Sequence, residues 1–205
     1  IETIARSATD SQIEESFKRV WELKIKAMQQ GSTSKPQISD PDPLNAKISA
    51  KSLTLYKGTE EIIAEYKDKG FYGLQFGQTK RATFFERVCE SNNSPYLLVK
   101  DQSTDKIRSA LGTNTKLLVA LYPPNIKPQH QFGMDPVHVQ LLKELINQYN
   151  LVLYVFGNPY FLRLLPVENI TAIVVAYQDL KGFEENAAAH FLGNKKAMGV
   201  LPVSL

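Results

Sequence analysis

Three histidines, one cysteine and 21 carboxylates are the side chains here that could do acid–base, nucleophilic or metal chemistry. His130, His138 and His190 fall too far apart for a pair at i, i+4, and no Glu-x-x-His set accompanies them. A zinc site is therefore not expected, and no metal is. Cys89, the single cysteine, excludes an internal disulfide and lies in the amphipathic stretch Thr83–Glu90, where an inert, half-buried thiol is expected. Asp101, Asp105 and Asp179 do not make a receiver-type acidic pocket. Such a pocket needs adjacent carboxylates at the end of the first strand and another on a central one, and here those strands end in "LYKGTEE" and "LYPP". Asp101 instead reads as the N-cap of the helix after it. Glycoside hydrolysis needs two carboxylates about 5–5.5 Å or ~6.5–9.5 Å apart. No local spacing forces such a pair, and Glu184 and Glu185, neighbours on a helix, point to different sides.

His130 stands apart from the other two histidines. It occupies "YPPNIKPQHQFGMD", Tyr122 to Asp135, the longest insertion between a strand and its following helix. Loops of this kind bind more often than they pack. His138 reads as a solvated or partly packed helix residue, and His190, beside Ala187, Ala188 and Ala189, as part of close helix–sheet packing. A second stretch, "LVLYVFGNPYFLRL" from Leu151 to Leu164, has the strand–turn–helix layout in which α/β enzymes place a nucleophile, yet its Gly157-Asn158-Pro159 turn carries none. Its role is expected to be architectural: Gly157 accepting a positive φ, Asn158 extended before proline, Pro159 opening a short helix. Gly70 and Gly73 precede a strand rather than open a helix, so neither a dinucleotide fingerprint nor a P-loop is formed, and no cofactor is expected.

The elements that must position these residues follow from apolar spacing. Strands are expected over Ser52–Lys57, Tyr72–Gly77, Pro95–Lys100, Lys116–Tyr122, Leu151–Phe156 and Ile170–Ala176. Helices are expected over Glu60–Lys69, Lys80–Cys89, Thr104–Leu111, Asp135–Tyr149, Tyr160–Leu164 and Gly182–Leu192. Runs such as Leu117-Leu118-Val119-Ala120-Leu121 are apolar on both faces, which a strand needs only when helices cover both sides of a mainly parallel sheet. "SLTLYK" alternates, as an edge strand does. The fold expected is a flavodoxin-like three-layer α/β sandwich of five or six strands. Before it come a helix, Ser11 to Gln30, capped by Asp10 or Ser11, and a Ser/Pro-rich strap from Gly31 to Pro43. Residues 1–45 thus form a preceding piece and 46–205 the sandwich domain.

Composition narrows the function further. A length of 205 residues, 43% hydrophobic content and 22% charge describe an ordinary globular chain. Net charge is +3 with lysines scattered among acids, which does not make the clustered basic face of a nucleic-acid binder. No apolar run reaches the roughly 18–20 residues of a membrane helix. One cysteine is compatible with a bacterial cytoplasm or periplasm. The chain opens on Ile1 in what reads as continuing polypeptide, so a piece of a longer protein is expected.

The C-terminal "AAAHFLGNKKAMGVLPVSL", Ala187 to Leu205, joins a small-residue helix to a Gly-x-Leu-Pro-Val close. With "VLYVFGNPYFL" and "ITAIVVAYQD" before it, this resembles the end of the second domain of family-three glycoside hydrolases. "DSQIEESFKRVWELKIKAM" resembles the last helix of that family's barrel domain, and the Ser/Pro-rich stretch resembles the inter-domain connection. The resemblance covers nearly the whole chain. It implies a non-catalytic second domain of a β-glycosidase acting on N-acetylhexosamine or glucose-type sugars, with its nucleophilic aspartate on a barrel absent from this sequence. Alone, the chain is expected to be inactive.

Family β-glucosidases carry an acid/base glutamate in the segment corresponding to Asn125–Lys143, where this chain has only Asp135 as a carboxylate. That departure points to the β-N-acetylhexosaminidase-like subgroup, whose His–Asp pair sits on the barrel. Gln129, His130 and Asp135 are then the residues expected to face substrate. The alternative, from another class, is a flavodoxin-like or receiver-like module binding its own small ligand.

Overall fold

The computed structural model describes residues 8–29, 40–78, 80–100, 102–112 and 116–205. The chain divides into two compact units, 1–39 and 40–205. The described part of the first is one helix, α1, Asp10–Gln29. Its cap is one residue earlier than expected. Thr9 Oγ1 accepts the Gln12 N–H and Gln12 Oε1 accepts the Thr9 N–H, a reciprocal capping box that satisfies two otherwise unpaired donors.

The second unit is a six-stranded sheet with helices on both faces. In chain order it runs α2 (Asp42–Ser52), β1 (Thr54–Lys57), α3 (Glu60–Lys69), β2 (Tyr72–Phe76), α4 (Thr83–Asn92), β3 (Tyr96–Leu98), α5 (Thr104–Leu111), β4 (Lys116–Leu121). It continues through a 3-10 turn (Gln129–Gly133), α6 (Pro136–Gln148), β5 (Asn150–Val155), further 3-10 turns (Pro159–Leu164 and Val167–Asn169), β6 (Ala172–Val175) and α7 (Lys181–Phe191). The strand order is β1-β6-β5-β4-β2-β3. All neighbours are parallel except β1, which closes one edge antiparallel to β6. The five parallel strands, taken alone, have the flavodoxin-like 2-1-3-4-5 order, whose direction reverses between β2 and β4.

Period-two alternation divides the apolar runs between two cores. Leu117, Val119, Leu121, Leu151, Leu153 and Val155 face α5 and α6, against Ile107, Leu111, Leu142 and Leu145. Leu118, Ala120, Tyr122, Val152, Tyr154 and Phe156 face α3, α4 and α7, against Ile63, Phe84, Phe85 and Phe191. Each such side chain is essentially inaccessible, and each burial contributes about 1.5–3 kcal/mol. This two-sided burial is why β4 and β5 carry no polar face.

Further expectations are corrected. The helix α2 lies mostly on residues 44–51, for which no element was expected, and takes in the end of the expected strap, Asp42 and Pro43, and the first residue of the expected strand, Ser52. It was illegible because it has no apolar stripe: Leu44 and Ile48 are exposed and its one buried residue is Ser49. What holds it is polar. Ser49 Oγ donates to the Gly182 carbonyl at 3.0 Å, and Asn186 Nδ2 donates to the Ala46 carbonyl and to Ser49 Oγ. Gly157, expected at positive φ, is not among the left-handed glycines. Space is tight there, since a Cβ would lie 3.0 Å from the Pro123 ring. Asp101 and residues 31–39 of the expected strap lie outside the described residues. The α5 cap is Ser103, whose hydroxyl accepts the Lys106 N–H.

Candidate functional site

The carboxyl ends of the parallel strands are where this fold opens to ligands, most readily at the point where strand order reverses. Several cavities lie along this edge. One of about 360 Å³ sits at the reversal itself, between Gly77 after β2 and Pro124 after β4, with Lys100, Asp135 and His138 on its rim. One of about 500 Å³ spans the ends of β4, β5 and β6, walled by Phe156, Tyr160, Tyr177, Asn158 and Asp179. A third, of about 350 Å³, lies between Phe132 and Arg163. Prolines and aromatics with a few amides and one carboxylate make the largest of these amphipathic.

The loop from 122 to 135 builds much of this edge by an unusual device. His130, Gln131 and Phe132 have φ of 52°, 54° and 56°, and Gly133 follows at 76°, so four consecutive residues are left-handed. Non-glycine residues hold that conformation at a cost of order 1–3 kcal/mol each, and only where their surroundings over-determine it. Phe132 supplies the restraint. It is buried, its ring lies 5.6 Å from Phe161, and its carbonyl accepts the Asn125 N–H at 2.8 Å. The result holds His130 outward as an exposed imidazole on a fixed backbone.

The Gly157-Asn158-Pro159 turn fixes the opposite wall. Asn158 is extended, its Oδ1 caps the 3-10 turn by accepting the Tyr160 N–H, and its Nδ2 donates to the Ile126 carbonyl at 2.9 Å. One side chain thus ties two loops of the rim together. Tyr177, at φ 67°, turns its hydroxyl onto Thr54 Oγ1 at 2.9 Å and leaves its ring on the 500 Å³ cavity. Arg163 stacks over the Tyr160 ring at 4.7 Å.

Two buried polar constellations lie behind the edge. Glu184 of α7 is 4% exposed and accepts the Phe84 N–H at the start of α4, a helix whose own N-cap residue, Ala82, makes no side-chain cap. Burial raises the Glu184 carboxyl above its ordinary value, opposed by the N–H groups of Thr83 and Phe84. Burial, and then the neighbouring Glu184 charge, push the Tyr122 hydroxyl well up. Behind β5, His190 is 1% exposed with both ring nitrogens engaged, Nδ1 with the Tyr154 hydroxyl at 2.8 Å and Nε2 with Glu60 at 3.0 Å. Burial lowers the His190 pKa, with Glu60 opposing. Cys89 is half-buried and its thiol is raised by burial, which disfavours the reactive thiolate.

Of the residues singled out from sequence, Asp135 caps α6 by accepting the Val137 N–H at 2.8 Å and lines the 360 Å³ cavity with His138. Gln129, just before the left-handed run, and His130, its first residue, are exposed and line none of these cavities. Lys100, Asn158, Tyr160 and Tyr177 were not anticipated as site residues. Only their positions just past strand ends could have flagged them. Among the described residues no cluster of three or more His, Cys, Asp or Glu could hold a metal ion, and no helix is long and apolar enough to cross a membrane.

No family model and no curated protein matches the sequence. Solved structures share the fold of this three-layer α/β chain. A glycoside hydrolase family 3 β-N-acetylglucosaminidase from Paenibacillus sp. str. FPU-7 aligns over 97% of this chain and 40% of its own, with a TM-score of 0.64 and 16% identity. The β-glucoside phosphorylase BglX aligns over 99% and 40%, with a TM-score of 0.63 and 13% identity. A fungal multi-domain β-N-acetylglucosaminidase of the same hydrolase family aligns over 100% of this chain and 25% of its own, with a TM-score of 0.60 and 15% identity. The chain therefore spans two-fifths or less of the length of these structures.

Proposed function

We propose that this chain is the accessory, non-catalytic α/β domain of a β-glycosidase of family three, preceded by the terminal helix of a barrel domain and the connection to the sandwich, residues 1–45. The observation that carries this reading is coverage. Three structures named for N-acetylglucosaminide or glucoside chemistry match almost all of this chain with 25–40% of theirs, leaving room for a catalytic domain outside it. The apolar face of α1 fits the same reading: Phe17, Val20, Trp21, Leu23 and Met28 have no packing partner among the described residues of their own unit.

In the whole enzyme the sandwich lends its carboxyl edge to one wall of a sugar site, with Gln129, His130 and Asp135 facing a β-linked N-acetylhexosamine or glucose unit. The left-handed turn supports this, because it holds exposed polar side chains rigidly where side chains on a free loop would lose more entropy on binding. The nucleophile and general acid belong to the barrel. The purified 205-residue chain should therefore turn over neither a chromogenic β-N-acetylglucosaminide nor a β-glucoside. Appreciable hydrolysis by the chain alone overturns the reading.

A further inference from the structure

The cavity of about 500 Å³ at the ends of β4, β5 and β6 is separate from the substrate wall proposed above, since Gln129, His130 and Asp135 lie outside its lining. Its size is that of a small-molecule site. Its walls are fixed before any ligand arrives. Pro123, Pro124, Pro159 and Pro202 stiffen them, and Asn158 ties the loop at Ile126 to the turn at Tyr160. Tyr177 is held under strain. The Gln178 N–H closes a three-residue turn onto the Ala176 carbonyl at 2.9 Å, with Tyr177 at its centre at φ 67°. That is the rare, strained hand of such a turn. A hydrogen bond of 2.9 Å between its hydroxyl and Thr54 Oγ1 locks it there. Strained residues of this kind cluster at ligand sites, where a fixed geometry lowers the cost of binding.

The lining is poor in donors. Its four prolines have no N–H, and the N–H groups of Asn125, Phe156, Tyr160 and Gln178 are committed to the Phe132 and Leu121 carbonyls, Asn158 Oδ1 and the Ala176 carbonyl. Among the described residues that line it, the charged group is the Asp179 carboxylate, which only accepts. Arg163, stacked over the Tyr160 ring at 4.7 Å, lines the neighbouring cavity instead. A ligand that fits must bring hydrogen-bond donors and no negative charge, with an apolar face for Phe156, Tyr160 and Tyr177. A neutral pyranose has both, its ring C–H groups forming the face and its hydroxyls the donors. We propose that this cavity is a hexopyranose-binding site that the chain completes without a barrel, a carbohydrate-binding function distinct from the wall at Gln129, His130 and Asp135. The choice of a sugar among neutral, donor-rich molecules rests on the proposed function; the cavity, its strain and its polarity do not.

Titration of the full 205-residue chain, labelled with nitrogen-15, with glucose, N-acetylglucosamine and glucuronate tests this. At least one of the two neutral sugars should give saturable amide shifts at Tyr160, Tyr177, Gln178 and Asp179. Glucuronate should bind several-fold more weakly than glucose, and Asp179→Asn should narrow that gap by removing the like charge. Tyr160→Ala, at a position 37% exposed, should weaken the neutral sugar several-fold while the other amide resonances keep their places. No saturable shift with either neutral sugar, shifts confined to 129–135, glucuronate binding as tightly as glucose, or a Tyr160→Ala chain that binds like the unaltered one would each overturn the site. Hydrolysis of a chromogenic glycoside by the chain counts against the proposed function alone, and missing shifts against this site alone.

Discussion

α1 and α6 are written in nearly the same pattern and have opposite fates. Both repeat apolar residues at helical spacing. α6 buries Val139, Leu141, Leu142, Leu145 and Ile146 against the sheet, whereas α1 buries nothing and leaves Leu23 at 68% and Met28 at 83% exposure. The α1 aromatic pair, Phe17 and Trp21, stacks on itself, with ring centroids 5.9 Å apart. An amphipathic stripe therefore records that a helix needs a partner without recording where the partner is. For α6 the partner is written into the same chain. For α1 none is found among the described residues of its own unit.

The largest test of the contrast is a matched pair of truncations. Leu145→Ala should cost about 2–5 kcal/mol in urea unfolding, because it opens a cavity in a packed core. Leu23→Ala should stay within about 0.5 kcal/mol. Comparable losses at both sites would mean that α1 has its partner within this chain after all.

Two glycines sharpen the same distinction between local pattern and tertiary context. Gly77 and Gly193 are both left-handed, but a Cβ on Gly77 would meet the Tyr122 carbonyl oxygen at 1.9 Å, whereas at Gly193 the nearest atom is the flexible end of Lys67, 3.7 Å away. Gly193→Ala should cost about 1 kcal/mol, the backbone preference alone. Gly77→Ala should cost several times that, roughly 2–4 kcal/mol, because β2 and β4 must part. Thermal unfolding of the two variants separates these effects.

Glu184 tests a tertiary cap. Its carboxyl is raised in the folded chain, so its contribution is fully present below about pH 4.5 and is lost as pH rises through the folded value. Glu184→Gln should remove that slope, which is at most ~1.4 kcal/mol per pH unit, from the pH dependence of stability. A slope unchanged in the variant would assign it to another group. Smallest of all, Arg108→Ala breaks the exposed bridge to Glu144 that joins α5 to α6 and should cost under ~1 kcal/mol, less at high salt.

Legibility in the sequence follows what each element needs. β4, β5 and β6 were readable because burial on both faces demands uninterrupted apolar runs, and the edge position of β1 because one-sided burial demands alternation. α2 was not readable, since its tertiary ties run through Ser49 and Asn186 and leave no periodic trace. The capping role of Asp135 was legible because its geometry is local, and so was the length of the loop carrying His130. The left-handed run was not, because three non-glycine residues adopt it only when Phe132 is locked against Phe161.

From sequence alone came the layer architecture, the positions of the strands and the absence of a recognisable nucleophile or metal-ligand motif, since these depend on periodicity and short-range spacing. Tertiary structure alone decided that Gly199 presses on Ser52, that Glu184 caps a helix 100 residues away, and that Tyr154, His190 and Glu60 meet. Such contacts join residues far apart in the chain, and their energies come from burial and hydrogen bonding that no local pattern encodes.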